Sequence, residues 1–115
     1  MLDDVSVDAL QAAMRGLSAR QKAISDDIAN VDTPFYRARS VSFEADLKRA
    51  LDRGRDPLTA TPTASVSNAP AGLNGNNVDL TAETMASVDT ELAYQLALRA
   101  AGDRFTLYRT AIKGA

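Results

Sequence analysis

Ile28-Ala29-Asn30-Val31-Asp32-Thr33-Pro34-Phe35-Tyr36-Arg37-Ala38-Arg39-Ser40-Val41-Ser42-Phe43-Glu44 is the stretch in which a heptad-patterned helix stops and the chain becomes extended. Asn30 tolerates the left-handed conformation that ends helices, and Pro34 drives Thr33 out of the α region while offering no N–H of its own. A helix arriving here has to end. Beyond Pro34, Tyr36, Ala38, Ser40 and Ser42 alternate with Phe35, Arg37, Arg39, Val41 and Phe43. The apolar residues fall in both sets, which predicts a lightly packed extended segment and no firm strand.

Upstream of the corner, Val7, Leu10, Met14, Leu17, Gln21, Ile24, Ile28 and Val31 recur at alternating spacings of three and four, the repeat of a coiled-coil seam. This predicts a first helical arm from about Val5 to about Asn30, on the order of 40 Å long. Such an arm is too long to bury against a small core. Ser6 or Asp3 is placed to cap its start, and Ala9, Ala12, Ala13, Ala19 and Ala23 leave neighbouring faces smooth enough for close approach. Gly16 reads either as a tolerated surface glycine or as a place where a second helix backbone crosses. Gln21 reads either as a register-setting polar residue on the seam or as a side chain reaching solvent. Asp26 and Asp27 point in different directions on a helix and read as a solvated face, not as paired catalytic carboxylates.

Downstream, Phe43, Leu47, Ala50 and Leu51 predict a short helix from Glu44 to about Arg55, stopped at Gly54. Residues 56–77 lose all periodicity. Pro57, Pro62, Pro70, Gly72 and Gly75 among Thr, Ser, Ala and Asn predict a loop or a segment disordered in the free chain. Order returns at Asn77-Val78-Asp79, where Asp79 or Thr81 is placed to cap a helix and Glu83 suits its positive end. That second arm runs to about Lys113. One stripe carries Met85, Val88, Leu92 and Leu96, another Tyr94, Leu98, Ala101, Phe105, Tyr108 and Ile112. Together they are wider than one partner helix covers. The expected fold class is therefore mainly α: long N-terminal and C-terminal helices packed as an antiparallel coiled-coil-like pair, joined by a short helix and an extended or loop region. The expected division is residues 1–31, 32–77 and 78–115, acting as one assembly domain.

Composition narrows the function. The 115 residues make at most one small domain, 45% hydrophobic but only 5% aromatic, with no Trp. With 13 Lys and Arg against 15 Asp and Glu, the net charge is −2, and basic residues 48–55 are interleaved with acidic ones. Nucleic acid is not an expected partner. Arg37 and Arg39 lack a nearby acidic residue in sequence and suit either a partner's carboxylate or plain exposure. With no Cys or His, thiolate sites, the commonest zinc ligand and the commonest general base are missing, so no enzyme, metal or cofactor is expected. The acidic start, Met1-Leu2-Asp3-Asp4, precedes no apolar run of secretory or membrane-spanning length. Direct membrane insertion and a cleaved signal are therefore not expected.

Two motifs carry a resemblance. The first is Ile28, Ala29, Asn30, Thr33, Pro34 and Tyr36, followed by Ala38 and Phe43-Glu44; the second is Asn76, Asn77, Val78, Asp79, Glu83, Tyr94, Gln95, Arg109, Ile112 and Gly114. Together they resemble the bacterial flagellar axial family, and among its rod, hook and hook-associated proteins most nearly the short proximal rod members. The resemblance implies a structural component of the flagellar basal body that leaves the cytoplasm through the type III export apparatus without a cleaved signal. It implies self-assembly and co-assembly with other rod proteins, FliE below and FlgC above, and through these an indirect link to the membrane-embedded MS ring. It further implies that Asn30, Thr33, Pro34, Tyr36, Asn77, Val78 and Asp79 form the turn motif. The expected assembly interface is Leu10, Met14, Leu17, Ile24 and Ile28 with Met85, Val88, Leu92, Leu98, Phe105, Tyr108 and Ile112. The family usually has Gly where Phe35 stands, so a type I or more open turn is expected here. The alternative reading is a soluble helical adaptor or export chaperone, which would use two amphipathic arms in a closed dimer without needing the Asn-Thr-Pro corner.

Overall fold

The computed structural model describes residues 2–113, and their side chains except those of residues 2–4 and 108. Two long helices, α1 (Leu2–Ala29) and α3 (Leu80–Lys113), pack side by side in a body 65 × 27 × 14 Å. Between them in sequence come β1 (Arg39–Ser42), α2 (Glu44–Asp52), a 3-10 turn (Pro57–Thr59) and β2 (Thr63–Val66). The helices are antiparallel: Gln21 Nε2 donates to Ser87 Oγ at 2.8 Å, and Asp27 meets Glu83 one to two turns further on.

α1 is the central element because it carries two adjacent buried faces. The seam residues Leu17 and Ile24 are buried, and Leu10, Met14, Gln21 and Ile28 are half-buried along α3. Beside the seam, Ala12, Gly16, Arg20 and Asp27 receive the middle of the chain. Both readings of Gly16 give way to a third. It is buried against an aromatic ring, and a Cβ there would lie 2.3 Å from Phe43 Cγ. Arg20 holds the same corner, with its guanidinium 4.9 Å from the Phe43 ring centroid. It also donates to Val41 O at 2.8 and 3.1 Å and to both Glu44 oxygens at 2.6 and 2.8 Å. Gln21 lies inside the helix pair; its Oε1 is buried without a partner.

The middle is more ordered than its composition suggests. β1 and β2 pair antiparallel, Arg39 opposite Val66 and Ser42 opposite Thr63, and Ser67 N extends the ladder to Ala38 O at 2.8 Å. Ala38, Val41 and Phe43 are buried, so the segment is firmly packed where a lightly packed one was expected. α2 closes as foreseen at Gly54. Its φ of 66° lets Arg55 N reach Ala50 O at 2.8 Å and Gly54 N reach Leu51 O at 3.2 Å. Asp56 then caps the 3-10 turn through Leu58 N, and Arg15 ties that turn to α1 at Leu58 O. Hydrogen bonds to α1 and between two short strands order a sequence that has no apolar periodicity of its own.

Candidate functional site: the clasp at the corner and the outer face of α3

The two motifs, far apart in sequence, meet in space. α1 ends where Asn30 Nδ2 turns back to Asp26 O at 2.7 Å and Thr33 Oγ1 donates to Asn30 Oδ1 at 3.0 Å. Buried Asn76 then donates from Nδ2 to Asn30 O and Thr33 O, both at 2.8 Å, across 46 and 43 residues, while its Oδ1 accepts from Val78 N at 2.8 Å. Asn77 takes the next position. Its Oδ1 accepts from Ala38 N at 2.7 Å, and its Nδ2 donates to Ser67 O and Ala69 O at 3.2 Å each. Two consecutive amides thereby satisfy main-chain groups on the corner, on the strand pair and at the entry to α3. A primary amide suits this task because it donates and accepts at once. Asp79 finishes the join by capping α3, its Oδ1 accepting from Ala82 N at 3.1 Å.

Of the predicted turn residues, Asn30, Thr33, Tyr36, Asn77, Val78 and Asp79 gather in this clasp, while Pro34 sits exposed at its outer bend. Two expectations are corrected. Phe35 does not open the turn; it adopts a φ of 63°, the left-handed region, with its N–H donated to Asn74 O at 3.0 Å. Gly75 opposite it has a φ of 79°, and a Cβ there would come 2.5 Å from the Phe35 ring. Asp27 is not solvated either. It is 0% exposed, and its carboxylate accepts from Tyr36 Oη at 3.0 Å and Arg39 N at 3.1 and 3.2 Å. The signal for it was present: Gly16, Arg20 and Asp27 share a face of α1 distinct from the seam. Glu83 closes the pocket from α3. Burial, its hydrogen bond to Asp27, and the charges of Asp27 and Asp79 push its pKa up to about 7. Burial and the bond to Asp27 likewise hold the Tyr36 hydroxyl above the usual phenol range.

The predicted assembly residues divide sharply. Those on α1 face α3 within the same chain. α3 meets them mainly with small residues: Ala86, Ser87, Thr90, Ala93 and Ala97 are buried or half-buried, with Tyr94 beside Leu17. On the opposite side of α3, Met85, Val88, Leu92 and Leu96 are 65, 64, 59 and 60% exposed. Leu98, Phe105 and Ile112 are exposed as well, while Tyr108 and Gly114 lie outside the described residues. An open row of large apolar side chains of this kind marks an interaction surface.

No protein-family model matches the chain. Curated relatives do. A flagellar basal body rod protein FlgB of Escherichia coli K12 is 33% identical over an alignment of 122 positions, gaps included, covering 87% of this chain and 88% of its own length. FlgB of Salmonella typhimurium is 31% identical over 136, covering 99% of each, and that of Cereibacter sphaeroides 32% over 124, covering 97 and 95%. The chain belongs to the FlgB family of flagellar basal body rod proteins. The alignments span both arms and the clasp, so FlgB membership applies to the whole body described above. A FlgB protein is a structural part of the basal body, and an exposed apolar helix face serves such a role better than a catalytic pocket would. Among the described residues no helix is long and apolar enough to cross a membrane.

Proposed function

We propose that this chain is a building block of the proximal rod that assembles, with copies of itself and with other rod proteins, through the outer face of α3, and that the resulting tube transmits motor torque. The observation that carries the proposal is the stripe Met85, Val88, Leu92 and Leu96, turned away from α1 and open over about three turns of α3. Burying such side chains is worth roughly 1.5–3 kcal/mol each, so a few contacts per neighbour suffice once repeated. Contacts between unlike surfaces, repeated with a rotation that does not close, build a filament and not a closed dimer. FliE and FlgC are the proposed neighbours, with the MS ring reached through them, and export proceeds through the type III apparatus without a cleaved signal. The residue-level proposal is that the clasp fixes the angle between the arms while Met85, Val88, Leu92, Leu98, Phe105 and Ile112 meet adjacent subunits.

Leu92→Asp tests this. The side chain is exposed, so thermal stability should stay within about 0.5 kcal/mol of the parent, while basal bodies purified from the mutant lack a rod and the cells do not swim. Normal swimming would remove the outer face from the assembly surface. Recovery of the unaltered chain as a cytoplasmic dimer absent from basal bodies would instead favour the adaptor reading.

A further inference from the structure

We propose that Asp27 and Glu83 form a proton-operated latch that holds the first turns of α3 against the end of α1 and releases them as the surroundings turn alkaline. The inference is independent of which proteins meet the outer face. Asp27 is wholly buried and its oxygens already accept from Tyr36 Oη and Arg39 N, so the hydrogen shared between the two carboxyls is donated by Glu83. Without that hydrogen, a half-buried carboxylate would face the fully buried one of Asp27, and Glu83, the more exposed of the two, must move away. The structure provides somewhere to go. A cavity of ≈ 220 Å³ beside Glu83 is lined by Arg20, Ile24, Arg39, Ser40, Val41 and Ala86.

Each charged group around the latch has a distinct part. Arg20 is committed to Glu44 and to Val41 O, and Asp26 is exposed and paired with Lys22. Asp79, just before α3, adds negative charge and opposes ionisation. Arg39 lines the same cavity, and it is the cation an ionised Glu83 would turn toward. Protonated Glu83 therefore binds Asp27 and closes the helix pair beside the clasp. Ionised, it faces Arg39 and gives up the bond. The sign follows from linkage. Folded Glu83 keeps its proton to about 7, against 4.5 unperturbed, so its contribution is complete below about 4.5 and lost as pH rises through about 7. Position gives the latch leverage. It lies at the start of a helix about 50 Å long, so a tilt of about 10° there would carry the far end of the apolar face roughly 9 Å.

The test is a carbon-13 carboxyl titration of Glu83 in the full chain, with thermal melts from pH 4 to 9. The expected midpoint is near 7, and the folding constant should fall by up to about tenfold per pH unit between the unfolded and folded midpoints. Glu83→Gln keeps a donor to Asp27 but cannot ionise, so that fall should disappear. Arg39→Gln removes the cation that receives the ionised form and should raise the Glu83 midpoint further. A midpoint in the ordinary carboxylate range overturns the latch, as do parallel pH profiles for Glu83→Gln and the parent. The titration of the unaltered chain decides the matter even if a variant does not fold.

Discussion

The start of α3 and its outer side are engaged by opposite means. At its start, Asn76, Asn77, Asp79 and Glu83 are engaged by directional polar bonds to partners within the chain. Along its outer side, Met85, Val88, Leu92 and Leu96 present apolar surface with no such partners. Directional bonds require one geometry, so the start sets an angle. Apolar contact tolerates several geometries, so the second can meet neighbours at positions that differ slightly around a helical assembly. The difference predicts that substitutions at the clasp act on folding, whereas those on the outer face act on assembly.

The largest effect on stability should come from Asn76→Ala. The substitution removes three hydrogen bonds: the Val78 N–H loses its buried acceptor, and the carbonyls of Asn30 and Thr33 keep only the N–H groups of Thr33 and Tyr36. At about 1 kcal/mol for each hydrogen bond lost, and somewhat more for the Val78 N–H left without its acceptor, a loss of about 3 kcal/mol is expected in urea denaturation. A loss as small as that of Leu92→Asp would erase the distinction between the clasp and the outer face. Leu17→Asp belongs with the clasp in this respect. Leu17 is buried against α3, so a carboxylate there opens the chain itself, and failure to build a rod with that variant reports folding and not docking.

Phe35 offers a smaller effect of opposite sign. A bulky residue at a φ of 63° costs on the order of 1 kcal/mol relative to glycine. The ring recovers part of that by lying over Gly75, yet it remains 81% exposed. Phe35→Gly should therefore raise stability by up to about 1 kcal/mol, measured as a higher denaturation midpoint. A clear loss would mean that the ring's contact with Gly75 outweighs the backbone strain.

How far such features can be read from sequence depends on where their partners lie. Both arms, the corner at Asn30 and Pro34, the stop at Gly54 and the Asp79 cap follow from local chemistry, because each partner is within a few residues. The partners of Asp27 lie 9 and 12 residues on, across a turn whose path is unknown until folded. Local sequence therefore shows an ordinary acidic pair, and only the helix face it shares with Gly16 and Arg20 marks Asp27 as different. β2, Thr-Ala-Ser-Val, is exposed along its length and shows no alternation; only its ladder to β1 makes it a strand. Phe35 misleads for a related reason. The turn keeps its left-handed residue because Asn74 and Gly75 hold it from 39 positions away or more, and local preference gives way. The stripes of α3 were visible, but which face α1 would take was not. Both faces are plausible helix partners, and the small one won because Ala86, Ser87, Thr90 and Ala97 let the backbones approach.

The smallest effect separates buried polar contacts from exposed ones. Arg20 grips Glu44 with two short hydrogen bonds, and this pairing holds the Glu44 carboxyl down to about 2. Its contribution is complete above about 4.5, the unperturbed value, and is lost as pH falls toward 2, opposite in sign to that of Glu83. The Glu44 side chain is 60% exposed, however, so solvent and salt screen the pair. Glu44→Gln should therefore flatten the acid limb of a Tm-against-pH curve only slightly, and added salt should shrink the difference between variant and parent. The Glu83→Gln difference, set against the fully buried Asp27 carboxylate, should respond less to the same salt. If both respond alike, the pocket beneath the clasp is wetter than its geometry indicates, and the contrast between the closed end of α3 and its open face reduces to side-chain chemistry without a difference in solvent access.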